Sequence, residues 1–131
     1  MKFMLLIYND KALHEAMPAT EFDLKMHDCI EHADELRNDG YLLDSQQLEE
    51  PASAKSLRIR KGRQMITDGP FSESKEVLGG FNLIEAENIE EALRIAAEFP
   101  WAQTGCVEVR PVRDLEMVRQ RVSGAKATAA R

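Results

Sequence analysis

The chain has 131 residues and a mass of 14.8 kDa, the size of one domain with one core. Hydrophobic residues make up 44% and charged residues 31%, which excludes a disordered or fibrous protein. The formal net charge of -6 argues against nucleic-acid binding, which needs a basic footprint, and the apolar run ending at Tyr8 is far shorter than the ~20 residues that span a bilayer.

Residues 3–8 are apolar on both alternating faces, the pattern of a central strand that needs cover on two sides. The start carries no recognisable export signal, and Cys29 and Cys106 lack C-x-x-C spacing. Reduced thiols and a cytoplasmic location are therefore expected. Residues 9–19 read as a polar connection ending in Pro18. Thr20 is a candidate N-cap for a helix over about 20–38. Its stripe is Phe22, Met26, Cys29, Ile30, Ala33 and Leu36, and it ends at Asn38-Asp39-Gly40.

Tyr41-Leu42-Leu43 reads as a short second strand, followed by a polar loop over 46–54. The alternation in 57–60 and 63–67 around Lys61-Gly62 predicts a hairpin. A two-residue turn would pair Leu57 with Ile66, Ile59 with Gln64 and Arg60 with Arg63. Asp68-Gly69-Pro70-Phe71 is a turn, and residues 72–77 read as irregular. Residues 78–86 form a strand whose Gly79-Gly80 pair marks a bulge or a close backbone approach.

Asn88 caps a second helix, with Glu91 as its reciprocal partner and Ile89, Ala92, Leu93, Ala96 and Phe99 as its buried stripe. Residues 106–112 are the last strand. The order is β-α-β, hairpin, β-α-β. It predicts a ferredoxin-like α+β fold with both helices on one face of an antiparallel sheet. Residues 1–112 form the domain and 113–131 an extension, with a short helix around Leu115, Val118 and Val122 and a disordered tail from Ser123.

This topology leaves one sheet face bare, lined by Met4, Leu6 and Tyr8 or their alternates. The physical remedy is a homodimer in which two such faces cover each other. Continuing the hairpin's period of two puts Asp68 on the same inward face as Leu57 and Ile66. There it acts either as a general acid/base or as a cap for the following turn. Glu108 and Arg110 point the same way on the last strand. They form either a base with a carboxylate-gripping arginine or an ion pair that fixes dimer register. Lys75, with Glu76, is a solvated charge or a ligand anchor. His27 with Glu31, and Asp28 with His32, are i,i+4 pairs too incomplete to predict a metal, and no cofactor motif is present.

Met1-Lys2-Phe3-Met4-Leu5-Leu6-Ile7-Tyr8, the Thr67-Asp68-Gly69-Pro70-Phe71 block running on to Lys75-Glu76, Leu78-Gly79-Gly80-Phe81 and Val107-Glu108-Val109-Arg110-Pro111 strongly resemble the YCII-related, or DGPF-domain, family. The resemblance implies a bacterial protein built as a dimeric α+β barrel. Some members are encoded beside extracytoplasmic-function sigma factors, which implies, as the alternative to an enzyme, a non-enzymatic regulatory or protein-interaction module with a sigma-factor-linked partner. A wider-family lyase uses a His-Asp pair. Its histidine falls eleven residues before the helix-ending Gly40, at Cys29 here, so that pair is missing its histidine. The expectation is a homodimer enclosing a small anionic or aromatic molecule between the sheets. Asp68 and Glu108 are its catalytic candidates, and Arg110, Lys75, Tyr8 and Phe81 its binding candidates.

Overall fold

A computed structural model describes residues 1–71 and 74–125. The expected irregular segment lies partly outside these residues, and the expected disordered tail lies outside them from residue 126 on. The elements in chain order are β1 (Lys2–Asp10), α1 (Lys11–Ala16), α2 (Ala19–Asn38), β2 (Leu42–Gln47), β3 (Lys55–Arg60), β4 (Arg63–Asp68), β5 (Glu76–Glu85), α3 (Ile89–Ala97), β6 (Gly105–Pro111) and α4 (Leu115–Val122).

Four strands form one antiparallel sheet in the order β2-β5-β1-β6, with β1 at its centre beside β5 and β6. With α2 and α3 as the crossovers, this is the ferredoxin-like arrangement. The hairpin β3–β4 is not part of that sheet. It forms a two-stranded sheet of its own, inserted between β2 and β5.

Alternation along β1 decides where the core sits. Phe3, Leu5 and Ile7 are buried on the helix side, while Met4, Leu6 and Tyr8 are half-buried on the other. Phe3 and Leu5 meet Ile84 and Leu42 of the sheet, Ala33 and Leu36 of α2, and Ala92, Ile95 and Ala96 of α3. Phe99 closes the cluster, and Val107 and Val109 of β6 pack at its margin.

Several boundaries move from the sequence reading. The polar connection contains α1, capped by the Asp10 carboxylate, which accepts from Leu13 N at 3.0 Å. Thr20 is not the cap of α2; Pro18 takes that position, and its carbonyl accepts from Phe22 N at 3.0 Å. Ile30 (54% exposed) and Leu93 (51%) turn outward, whereas Ile95 is buried. The second strand starts one residue late and runs on through polar residues to Gln47. Asn88 does cap α3, accepting from Glu91 N at 2.9 Å. Glu91 reaches back to Glu87 N, one residue before the position expected.

Both readings of Gly79-Gly80 hold. Ile7 pairs with Gly80 and Tyr8 with Leu78, so Gly79 is the extra residue of a bulge. A Cβ on Gly80 would lie 2.7 Å from the Gln46 carbonyl oxygen of the neighbouring strand.

Candidate functional site

The second face of the sheet is built in rows fixed by strand register. One row runs Asp44, Leu83, Met4, Arg110; the next runs Gln46, Phe81, Leu6, Glu108; a third holds Leu78, Tyr8 and Cys106. The centre is therefore apolar and aromatic, and ionisable groups stand along both margins. Met4, Leu6, Tyr8, Phe81 and Leu83 are half-buried, and Leu78 is exposed. The C-terminal helix α4 buries none of its own residues. Among the described residues, nothing completes the cover of this face.

Glu108 and Arg110 are joined on this surface. Arg110 Nε donates to Glu108 Oε2 at 3.0 Å, and Nη2 donates to the same oxygen. That hydrogen bond and the charge of Glu108, with a smaller contribution from Tyr8, raise the guanidinium pKa further above its usual value. The arrangement places a permanently cationic fork and a carboxylate beside an aromatic surface. Such a set can hold a carboxylate or phenolate and move a proton on it.

Lys75 stands exposed just before β5, at the Tyr8 end of the sheet, where its carbonyl accepts from Lys11 N at 2.8 Å. Thus Tyr8, Phe81, Glu108 and Arg110 share the open face, and Lys75 lies at its margin.

Asp68 does not join them. The hairpin register is the expected one, so Asp68 shares a face with Leu57 and Ile66, but that face is not turned into a core. Leu57 is 58% exposed, Ile66 is 62% exposed, and the Asp68 side chain is 83% exposed. Its carboxylate pairs across the ladder with Lys55 Nζ at 2.5 Å. The residues around it form a clasp at the hairpin's root. Gly69, at φ +89°, donates its N–H to Ala54 O at 2.7 Å, and Ser56 Oγ donates to Gly69 O at 2.9 Å. Phe71 lies 5.8 Å beneath the Arg58 guanidinium.

The YCII-related domain model matches residues 1–116, nearly nine-tenths of the chain. The chain belongs to the YCII-related family. An uncharacterized protein of Rhizobium meliloti (strain 1021) is 34% identical over 114 residues, spanning 86% of this chain and 92% of the relative. The YCII-related span takes in the sheet face, the Asp68–Phe71 clasp and β6 alike.

On the helix side, this YCII-related chain holds polar groups of a different kind. Cys29 of α2 is half-buried and accepts a hydrogen bond from Trp101 Nε1 at 3.3 Å; burial pushes its thiol pKa up, and that bond opposes the shift. Trp101 packs on Phe22, and Phe22 on His14. His32 does not pair with Asp28. Its Nε2 lies 3.0 Å from Glu98 Oε2, outside hydrogen-bond geometry, and its ring meets Phe99 edge-on. His27 approaches Asp28 at 3.6 Å and Glu31 at 3.7 Å in an exposed group on one helix turn. Trp101 was missed in the sequence because it sits in a short 3-10 turn (Pro100–Ala102) with no period to reveal its burial. Asp44 and Gln46 were missed because β2 carries no apolar alternation beyond Leu43.

Proposed function

We propose that the protein works as a homodimer with its two four-stranded sheets face to face, and that the space between them binds a small anionic or aromatic molecule. Arg110 supplies the positive charge, Tyr8 and Phe81 the aromatic walls, and Glu108 the group that accepts or returns a proton. Lys75 adds charge at the rim. The observation that carries this reading is the paired Glu108 and Arg110 standing on a half-buried apolar face. Asp68, paired with Lys55 on the separate hairpin, serves the clasp in this reading and not the proton transfer.

The chemistry that follows is of the acid-base lyase or hydrolase type. An incoming carboxylate or phenolate competes with Glu108 for the Arg110 fork, and a released Glu108 becomes free to take a proton from the ligand. Thermal-shift screening with small carboxylates and phenols tests this on the wild type and on Arg110→Ala and Glu108→Gln. A stabilising ligand is expected for the wild type, with its shift lost in Arg110→Ala and retained in Glu108→Gln. No stabilising compound for any of the three proteins, or equal stabilisation of wild type and Arg110→Ala, defeats the reading.

A further inference from the structure

The hairpin β3–β4 carries Lys55, Arg58, Arg60, Lys61 and Arg63 against the single acid Asp68, a net charge of +4. Because the whole chain carries -6, the remainder carries -10. Among the described residues, the hairpin's two six-residue strands pair only with each other. An isolated two-stranded hairpin is marginal in water. This one nonetheless exposes Leu57, Ile59 (57%) and Ile66 on one face. Its tip, Lys61 at φ 53° and Gly62 at φ 74°, is the tight twisted turn that keeps such an arm straight, and Arg60, Lys61 and Arg63 surround it.

A complementary surface lies on the body. Two adjoining clefts of about 380 and 300 Å³ share Asp39, Tyr41 and Glu91; Glu87 lines the first and Glu35 and Glu98 the second, and these acids outnumber the Met1 ammonium of the first, paired with Glu85, and Arg94 of the second, paired with Glu91. The first opens where β1 and β2 begin and β5 ends; the second adjoins it on the helix side, between α2 and α3. The arm leaves the sheet at the other end, after Gln47 and before Glu76. Within one copy, arm and clefts therefore sit at opposite ends of the sheet. A two-fold axis perpendicular to the strands reverses a second sheet and brings each arm to the other copy's acidic end. At ~3.3 Å per residue the six-residue strands reach about 20 Å.

We propose that the β3–β4 arm of each protomer docks on the acidic α2–α3 cleft of a second copy, its basic tip meeting Glu35, Glu87 and their neighbours. The inference rests on the face-to-face dimer for the two-fold axis. It assigns the Asp68–Phe71 block a positioning role, holding the root of the arm in the direction that reaches the partner.

Two charge-reversed proteins test it: Arg60→Glu/Lys61→Glu/Arg63→Glu on the arm, and Glu35→Lys/Glu87→Lys on the cleft. Sedimentation equilibrium is run on each, on their mixture and on Leu6→Glu, with circular dichroism to confirm folding. Each reversed protein alone should dimerise about tenfold more weakly than wild type and lose the wild-type salt dependence. The mixture should recover a heterodimer, because both arm-cleft contacts in it again pair opposite charges.

Reversed proteins that dimerise like wild type, or a mixture no tighter than its components, overturn the arm contact. Either result leaves the facing sheets intact if Leu6→Glu is monomeric. A Leu6→Glu protein that remains dimeric, beside a rescued mixture, removes the facing sheets and keeps the arm contact. Should a reversed protein fail to fold, Arg60→Gln/Arg63→Gln replaces it on the arm and Glu35→Gln/Glu87→Gln on the cleft. Unchanged dimerisation by either overturns the proposal. Wild-type binding to duplex DNA or anionic vesicles that the arm-reversed protein loses, with dimerisation unaltered, overturns it too.

Discussion

Cys29 shows how one buried group ties packing to pH. It stands on the inner side of α2, where burial disfavours the thiolate more than the Trp101 N–H favours it, so its native pKa lies above the ordinary thiol value. A group whose folded pKa is raised stabilises the fold fully below its unfolded pKa, about 8.5 for a thiol. That contribution is lost as pH rises through the higher native value. Urea unfolding of the wild type should therefore show a loss of stability that begins near pH ~8.5. The loss should be shallower in Cys29→Ala, whatever the variant's absolute stability. Parallel pH profiles for the two proteins would show that the thiolate is not disfavoured in the native state. Gly105 makes a related point about close packing. A Cβ there would collide with the Tyr8 carbonyl oxygen, so β1 and β6 approach closely because this position carries no side chain.

At the scale of elements, local chemistry was legible in the sequence and placement was not. The Asn88 cap is a local arrangement of one side chain and one N–H, so spacing alone revealed it. Replacing it by alanine should cost about 1 kcal/mol, read as a lower urea midpoint with an unchanged m-value; an unchanged midpoint would mean that α3 is held by its buried Ala92, Ile95 and Ala96 alone. The hairpin register was likewise legible, since a two-residue turn fixes every pair from Arg60–Arg63 to Lys55–Asp68. What a period of two leaves open is the layer that covers each face. Asp68 was thus assigned correctly to the Leu57–Ile66 side and wrongly to an interior, because the hairpin stands apart from the main sheet. Short or polar elements escaped for the opposite reason. Six-residue α1 buries nothing, and the outer half of edge strand β2 is held by backbone pairing with β5, so neither leaves an apolar rhythm to read.

For the molecule as a whole, the decisive quantity is the free energy of closing the bare sheet face against a second one. Burying ~400 Å² of apolar surface at ~25 cal/mol per Å² gives about 10 kcal/mol of gross driving force. Association costs of ~4–15 kcal/mol are of the same order. The proposed dimer of Met4, Leu6, Phe81 and Leu83 faces would therefore be a reversible one, its tightness set by the charged margins. Sheets packed ~10 Å apart interdigitate through large side chains at their centre. In the proposed dimer, the flanking strand β6, which carries Glu108 and Arg110 beside β1, is the place left for a small molecule. A marginal dimer unfolds with a midpoint that depends on protein concentration, because dissociation accompanies unfolding. The thermal midpoint should rise by about 3 °C for each tenfold increase in concentration. In Leu6→Glu, which sets a carboxylate beside Phe81 and Glu108 at the centre of the face, it should stay constant. A wild-type midpoint that does not move over a hundredfold range, in a protein that sediments as a monomer, would show that this face stays open to water and encloses nothing.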